Sequence, residues 1–110
     1  MLDLSGLPLA VGDPPAPSTL ALSAPTPNPA RGDVRFVLDA PVAGWLTVDV
    51  FDVVGRRVRR VWAGSLGPGS HAMTWDSRDD AGRVARPGAY FVRASRTLGE
   101  SVVRRVVKID

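Results

Sequence analysis

The 110-residue chain has no cysteine, one histidine, one asparagine and one lysine. Without thiols there is no disulfide framework, thiolate metal site or cysteine nucleophile, so stability has to come from packing. The same absence fits either a reducing or an oxidising compartment. Because His71 is the sole histidine, a catalytic triad or a histidine-rich metal site would have to recruit partners from unrelated loops. No apolar run approaches the roughly 20 residues that span a bilayer, and no charged start leads into an apolar stretch and cleavage site. Neither a membrane span nor a visible export signal is encoded.

What is present points to strands and turns. Apolar residues make up 45%, and 11 Gly with 10 Pro are what many short strands joined by turns require. The length suits one domain with one core. The formal charge of +3, carried by thirteen Arg and one Lys against eleven acids, is modest and interspersed. It supports solubility more readily than a nucleic-acid face. Residues 1–18 are Pro-rich, as in Gly12-Asp-Pro-Pro-Ala-Pro17, and read as an extended linker or tail; residues 19–110 form the domain.

Leu46, Val48 and Val50 alternate with Thr47, Asp49 and Phe51, which is the pattern of a half-buried strand. Gly55 then permits the positive φ of a tight turn before a return through Val58 and Val61. Met73 and Trp75 end another strand, an Asp-rich run with Gly82 turns the chain, and Tyr90, Val92 and Ala94 alternate after Pro87-Gly88, suggesting a second hairpin. Seven strands are expected: Thr19 to Ser23, Asp33 to Asp39, Trp45 to Val53, Arg57 to Trp62, Ser70 to Asp76, Gly88 to Ser95 and Ser101 to Ile109. The fold class is therefore all-β, an Ig-like or fibronectin-III-like antiparallel sandwich. Its expected core is Leu20, Leu22, Val34, Phe36, Leu38, Leu46, Val48, Val50, Met73, Trp75, Tyr90, Val92, Val107 and Ile109. Val58-Arg-Arg-Val61 and Val102-Val-Arg-Arg-Val-Val107 break strict alternation, which a bulge or an edge position would accommodate.

Five pieces in order carry a family resemblance: Pro27-Asn28-Pro29, Val34-Arg-Phe-Val-Leu38, Val50-Phe-Asp-Val-Val-Gly-Arg-Arg-Val58, Gly69-Ser-His-Ala-Met-Thr-Trp-Asp76 and Gly88-Ala-Tyr-Phe-Val-Arg93. Over roughly Leu20 to Ile109 the chain resembles the Ig-like domain of flagellar hook-capping proteins and the related C-terminal sorting domains of type IX secretion cargo. Asn28, Pro29, Asp52, Gly55, Trp75, Asp76, Gly82, Gly88 and Tyr90 are the motif residues. In such proteins the Pro-rich tract joins the module to a larger upstream protein, so Met1 is expected to be the start of a truncated frame.

Candidate chemistry is sparse. Asp76, Asp79 and Asp80 with Gly82 invite comparison with a calcium loop, but Arg78 and Pro87 fall where oxygen ligands would be needed, and Asp side chains also cap their own turns. Arg31-Gly-Asp33 matches an adhesion tripeptide and reads as turn chemistry ahead of a strand. Asn28 and Lys108 lie near the two ends of the sandwich, where a Lys–Asn amide crosslink is conceivable; the simpler roles are a turn starter and a solubilising edge lysine. Arg57, Arg59, Arg104, Arg105 and Lys108 are the candidate interaction residues. A basic stripe would form if their strands were neighbours, facing an anionic cell-surface glycan or outer-membrane glycolipid; secretion or assembly proteins are the other expected partners. Without interleaved aromatics on that face a nucleic-acid platform is not expected. Trp45 and Trp62 are candidates for a carbohydrate or protein contact or for covering the core's rim.

No nucleophile, base and orienting group stand together, so no enzyme and no cofactor are expected. What the resemblance implies first is a noncatalytic, monomeric C-terminal sorting and anchoring module, read by the type IX machinery and located at the exterior or outer-membrane surface after export of its parent. The alternative is a structural assembly module acting through protein–protein contacts.

Overall fold

The computed structural model describes residues 19–97 and 99–109; the linker expected over residues 1–18 and the terminal Asp110 lie outside them. Seven strands form: β1 (Ala21–Leu22), β2 (Val34–Ala40), β3 (Gly44–Phe51), β4 (Arg57–Leu66), β5 (Gly69–Trp75), β6 (Gly88–Arg96) and β7 (Ser101–Lys108). They make two antiparallel sheets, β1-β2-β5 and β4-β3-β6-β7. Alternation explains the layering. In β2, Val34, Phe36, Leu38 and Ala40 are buried, and in β3, Leu46, Val48 and Val50 are buried, each facing the other sheet across a single apolar interior. Each fully buried Leu or Val stabilises the sandwich by about 1.5–3 kcal/mol relative to an exposed one.

Three expectations change. First, β5 and β6 do not form a hairpin. β5 pairs with β2 along its whole length while β6 pairs with β3 and β7, so residues 76–87 carry the chain from one sheet to the other. That connection is long for a hairpin and is held by its own turn chemistry. Secondly, β4 runs on to Leu66, because Ala63, Gly64 and Ser65 pair with Thr47, Leu46 and Trp45 despite modest strand propensity. Thirdly, the phase of β7 is the reverse of that expected. Val106 and Lys108 are buried, whereas Val107 is half-buried and Ile109 is 47% exposed.

The paired arginines are resolved by both expected devices. On the edge strand β4 the register skips Val58 and Val61, and both pack against the core while Arg57 and Arg60 pair opposite Phe51 and Asp49. The chain also closes the β7 edge. After pairing with β2 at Thr26, it passes two cis X-Pro bonds, Thr26-Pro27 and Asn28-Pro29, and switches to β7. Prolines have no N–H to offer a ladder, so they suit a segment leaving one sheet for another. Ala30 donates to the Val107 carbonyl at 2.8 Å and accepts from Ile109 at 3.0 Å.

Candidate interaction site

One end of the sandwich carries the turn after β3 and the crossing after β5, and the two are built alike. Asp52 Oδ1 accepts the amides of Val54 and Arg56, both at 3.0 Å, while Asp79 Oδ1 accepts those of Ala81 and Arg83, both at 2.9 Å. In each turn the Asp amide donates to the carbonyl four residues on, and the glycine three residues on donates back to the Asp carbonyl. Gly55 and Gly82 supply φ values of 86° and 83°. The repeated unit Asp-x-x-Gly-Arg is thus a self-capped turn. Both copies line one open cleft of about 660 Å³, with Arg57, Arg86 and Tyr90. Backbone and side-chain hydrogen bonds from Arg56, with lesser help from Val54, hold the Asp52 carboxyl below its ordinary range.

Trp75 and Tyr90 fasten the second turn to the core. Their rings are tilted 57° with centroids 5.2 Å apart. Trp75 Nε1 donates to the Arg78 carbonyl at 2.9 Å, and the Tyr90 hydroxyl donates to the Arg86 carbonyl at 2.7 Å. The latter is a tyrosine corner, a device of Ig-like sandwiches. Burial, reinforced by Asp52 and opposed by Arg86, pushes the Tyr90 hydroxyl pKa up. Gly88, at φ 147°, opens the strand that carries Tyr90.

The three carboxylates weighed as a calcium loop point to different tasks. Asp76 Oδ1 accepts the Arg78 amide and its Oδ2 lies 3.9 Å from Arg59, while Asp80 Oδ1 accepts the Arg60 amide at 2.9 Å. Among the described residues no three His, Cys, Asp or Glu side chains gather as a metal site. Arg31, Gly32 and Asp33 sit in an exposed turn, where the Gly32 carbonyl accepts the Ser77 hydroxyl at 2.5 Å. Ser70 pairs with Asp39, but His71 is the next residue along the strand, on the other face, with Nε2 2.7 Å from the Gly67 carbonyl. The three do not form a triad.

The expected interaction residues divide. β4 and β7 are opposite edges of their sheet, so their arginines are not neighbours. Arg59 and Arg104 bridge the layers at the two open flanks: Arg59 donates to the Asp79 carbonyl at 3.1 Å, and Arg104 to the Leu22 carbonyl at 2.7 Å. Lys108, expected to keep an edge soluble, is 1% exposed. Asn28 uses both ends of its amide on β7, donating to the Arg105 carbonyl and accepting the Val107 amide, and so clamps the strand's backbone.

What remains outward is a row across all four strands: Arg57, Phe51, Phe91 and Arg105 stand directly opposite one another in register. The two arginines are exposed and the two phenylalanines half-buried. Aromatics therefore do interleave with arginines on this face, contrary to the sequence reading. The next row is Arg60, Asp49, Arg93 and Val103, in which Arg60 holds the Asp49 carboxylate at 3.0 and 3.4 Å. Hydrogen bonding and charge from Asp49 raise the Arg60 pKa. Trp45 lies further along this face, 55% exposed, while Trp62 covers Gly64 of its own strand with Nε1 3.3 Å from that carbonyl. Phe51 and Phe91 were readable in the sequence as the outward members of strands whose neighbours, Val50 and Val92, face the core.

A family model, the FlgD Ig-like domain, matches residues 22–100. The chain belongs to this family. FlgD from P. aeruginosa is 27% identical at a TM-score of 0.55, the match covering 68% of this chain and 60% of that one. FlgD from Xanthomonas campestris, described in connection with hook capping in flagellar assembly, is 25% identical at a TM-score of 0.57, covering 81% and 67%. PorZ, a surface component of the Porphyromonas gingivalis type IX secretion system, is 19% identical at 0.51, covering 83% of this chain and 11% of PorZ, a likeness of fold alone. No curated protein matches. The chain thus spans about 60% of the first FlgD and a small part of PorZ.

Proposed function

We propose that the chain is a noncatalytic structural module that acts through protein–protein contacts within a larger assembly. The observation that carries this reading is the family match together with FlgD likeness at 25–27% identity. Its site chemistry agrees: the polar side chains at the turn end are spent on backbone amides and carbonyls, which shapes surfaces rather than activating a nucleophile. The sorting reading and its outer-membrane placement draw on PorZ, whose likeness extends only to the fold. No helix of the described residues is long and apolar enough to cross a membrane.

These 110 residues contain no cysteine, so a thiol introduced here is unique within the module, and the parent protein without it serves as the background control. Single cysteines placed at Thr47 or Arg93 on the outer face of the four-stranded sheet, and at Arg35 or Thr74 on that of the other sheet, would carry a photo-crosslinker in the parent protein inside its host. Reproducible protein adducts from one face, absent from the other, are expected. Adduct formation from neither face and from none of the turns would refute the module reading.

A further inference from the structure

We infer that the outer face of the four-stranded sheet receives an extended acidic segment of a partner protein, laid along the Arg57–Phe51–Phe91–Arg105 row. This rests on the assembly reading above and names its surface and partner chemistry. Charge carries the argument. Among the described residues of this face Asp49 is the carboxylate, and the Arg60 fork already holds it. Arg93 and Arg105 make no ion pair among the described residues, and Arg57 has only a long contact, 3.6 Å to Asp80, with both side chains nearly half exposed. Two cations without an ion pair among the described residues, and a third held only by that long contact, thus flank two half-buried phenyl rings.

The opposite sheet shows that this is not a general property of the fold. Its outward positions are Arg35, Val37 and Asp39 beside Ser70, Ala72 and Thr74, a small-residue face on which Asp39 is engaged by Ser70. Arginine and aromatic residues also supply most of the strong contacts in protein interfaces, because planar guanidinium groups and rings bury area with little loss of freedom.

Spacing fixes the ligand further. Four strands about 4.8 Å apart put the end arginines roughly 14 Å from each other, and an extended chain advances about 3.3 Å per residue. Carboxylates four residues apart would meet both, and the residue midway between them, on the same side of the segment, would rest on Phe51 and Phe91. Arg93, one row along, would strengthen the attraction. A segment of the form Glu-Thr-Val-Thr-Glu has this pattern.

The test is an amide-shift NMR titration of the 110-residue chain with an end-blocked peptide containing Glu-Thr-Val-Thr-Glu, beside Gln-Thr-Val-Thr-Gln, a heparin oligosaccharide and oligodeoxythymidine. Expected are shifts centred on Phe51, Phe91, Arg93 and Arg105 with the glutamate peptide. Binding should weaken with added salt and fall at least tenfold in Arg105→Glu and in Arg93→Glu. Both positions are exposed, so folding is checked by the unchanged shifts of Trp75 and Tyr90. Equal binding of the glutamine peptide, shifts confined to the turn-end cleft, no shifts at millimolar peptide, or tighter binding of heparin or oligodeoxythymidine at these residues would each overturn the inference. Crosslinks from other faces with an unresponsive row would remove this inference and leave the module reading standing. A responsive row without adducts in the host would refute the module reading and its partner protein, leaving only an acidic-peptide site on this face.

Discussion

Asp52 and Asp79 occupy equivalent places in two turns of identical hydrogen bonding, each carboxylate accepting the amides two and four residues ahead. One turn closes a hairpin within a sheet and the other sits on the crossing between sheets, so the same five-residue solution is used for two topological tasks. The glycine supplies a left-handed φ that a residue with a Cβ adopts only at a cost. At φ 86° and 83° an added Cβ at Gly55 or Gly82 meets nothing within 4 Å, so the penalty is purely conformational. Gly55→Ala and Gly82→Ala should each cost about 1–2 kcal/mol, and the double variant should lose close to the sum if the turns act independently. Urea denaturation of the three variants measures this; a sum well short of additive would show that the turns support one another across the cleft.

Acid should act through Asp52. Its carboxyl is held below the usual carboxylate value by the Arg56 and Val54 amides and by the Arg56 side chain. A group with a depressed folded pKa stabilises the fold above its unfolded pKa and loses that contribution as pH falls through the folded value. Asp52→Asn should therefore lower the melting temperature at pH 7, and the gap to the parent chain should begin to narrow as pH falls below the ordinary carboxylate value of 3.8 and close only below the depressed folded value, where the carboxyl is protonated in both states. A gap that stays constant from pH 7 down to pH 2 would mean that the side-chain charge is not the source.

Much of this architecture is legible in the residues, and the failures have physical causes. β2, β3 and β6 declare themselves because a clean two-residue period leaves one phase that buries valine and leucine. β7 does not: Val102-Val-Arg-Arg-Val-Val107 looks almost the same after a one-residue slip, so its phase is set by pairing, with Tyr90 opposite Val106 and Val92 opposite Arg104. The partnership of β5 was hidden for a different reason. Its inward residues, His71, Met73 and Trp75, match β2 through Leu38, Phe36 and Val34, a contact more than thirty residues away that no local turn signal reveals. The twin turns were readable from Asp52-x-x-Gly55-Arg56 and Asp79-x-x-Gly82-Arg83, since spacing alone defines them.

Tyr90 links the crossing turn to the core and should report on it at high pH. Tyr90→Phe removes the bond to the Arg86 carbonyl and should cost about 1 kcal/mol. Because burial raises the Tyr90 pKa, the parent chain has its full contribution below pH 10 and loses it as pH rises through the folded value, whereas the phenylalanine variant has no such group to titrate. Chemical denaturation at pH 8 and pH 11 should show the difference between the two chains changing with pH. A constant difference would assign the effect to packing alone.

Lys108 gives the sharpest check on the phase of β7. It is the only lysine in the chain and is 1% exposed, whereas Ile109, its neighbour, is 47% exposed. Amine acylation of the native protein should therefore label the N-terminus and spare Lys108, and labelling at Lys108 should appear only as denaturant exposes the last strand. Intact mass of the unlabelled chain should equal the sum of its residues plus one water, with no loss of ammonia, because both ends of the Asn28 amide are committed to the β7 backbone at Arg105 and Val107. Rapid acylation of Lys108 under native conditions would place the lysine outside and return Val107 to the core, reversing which side chains of β7 face the solvent and removing Arg105 from the aromatic row.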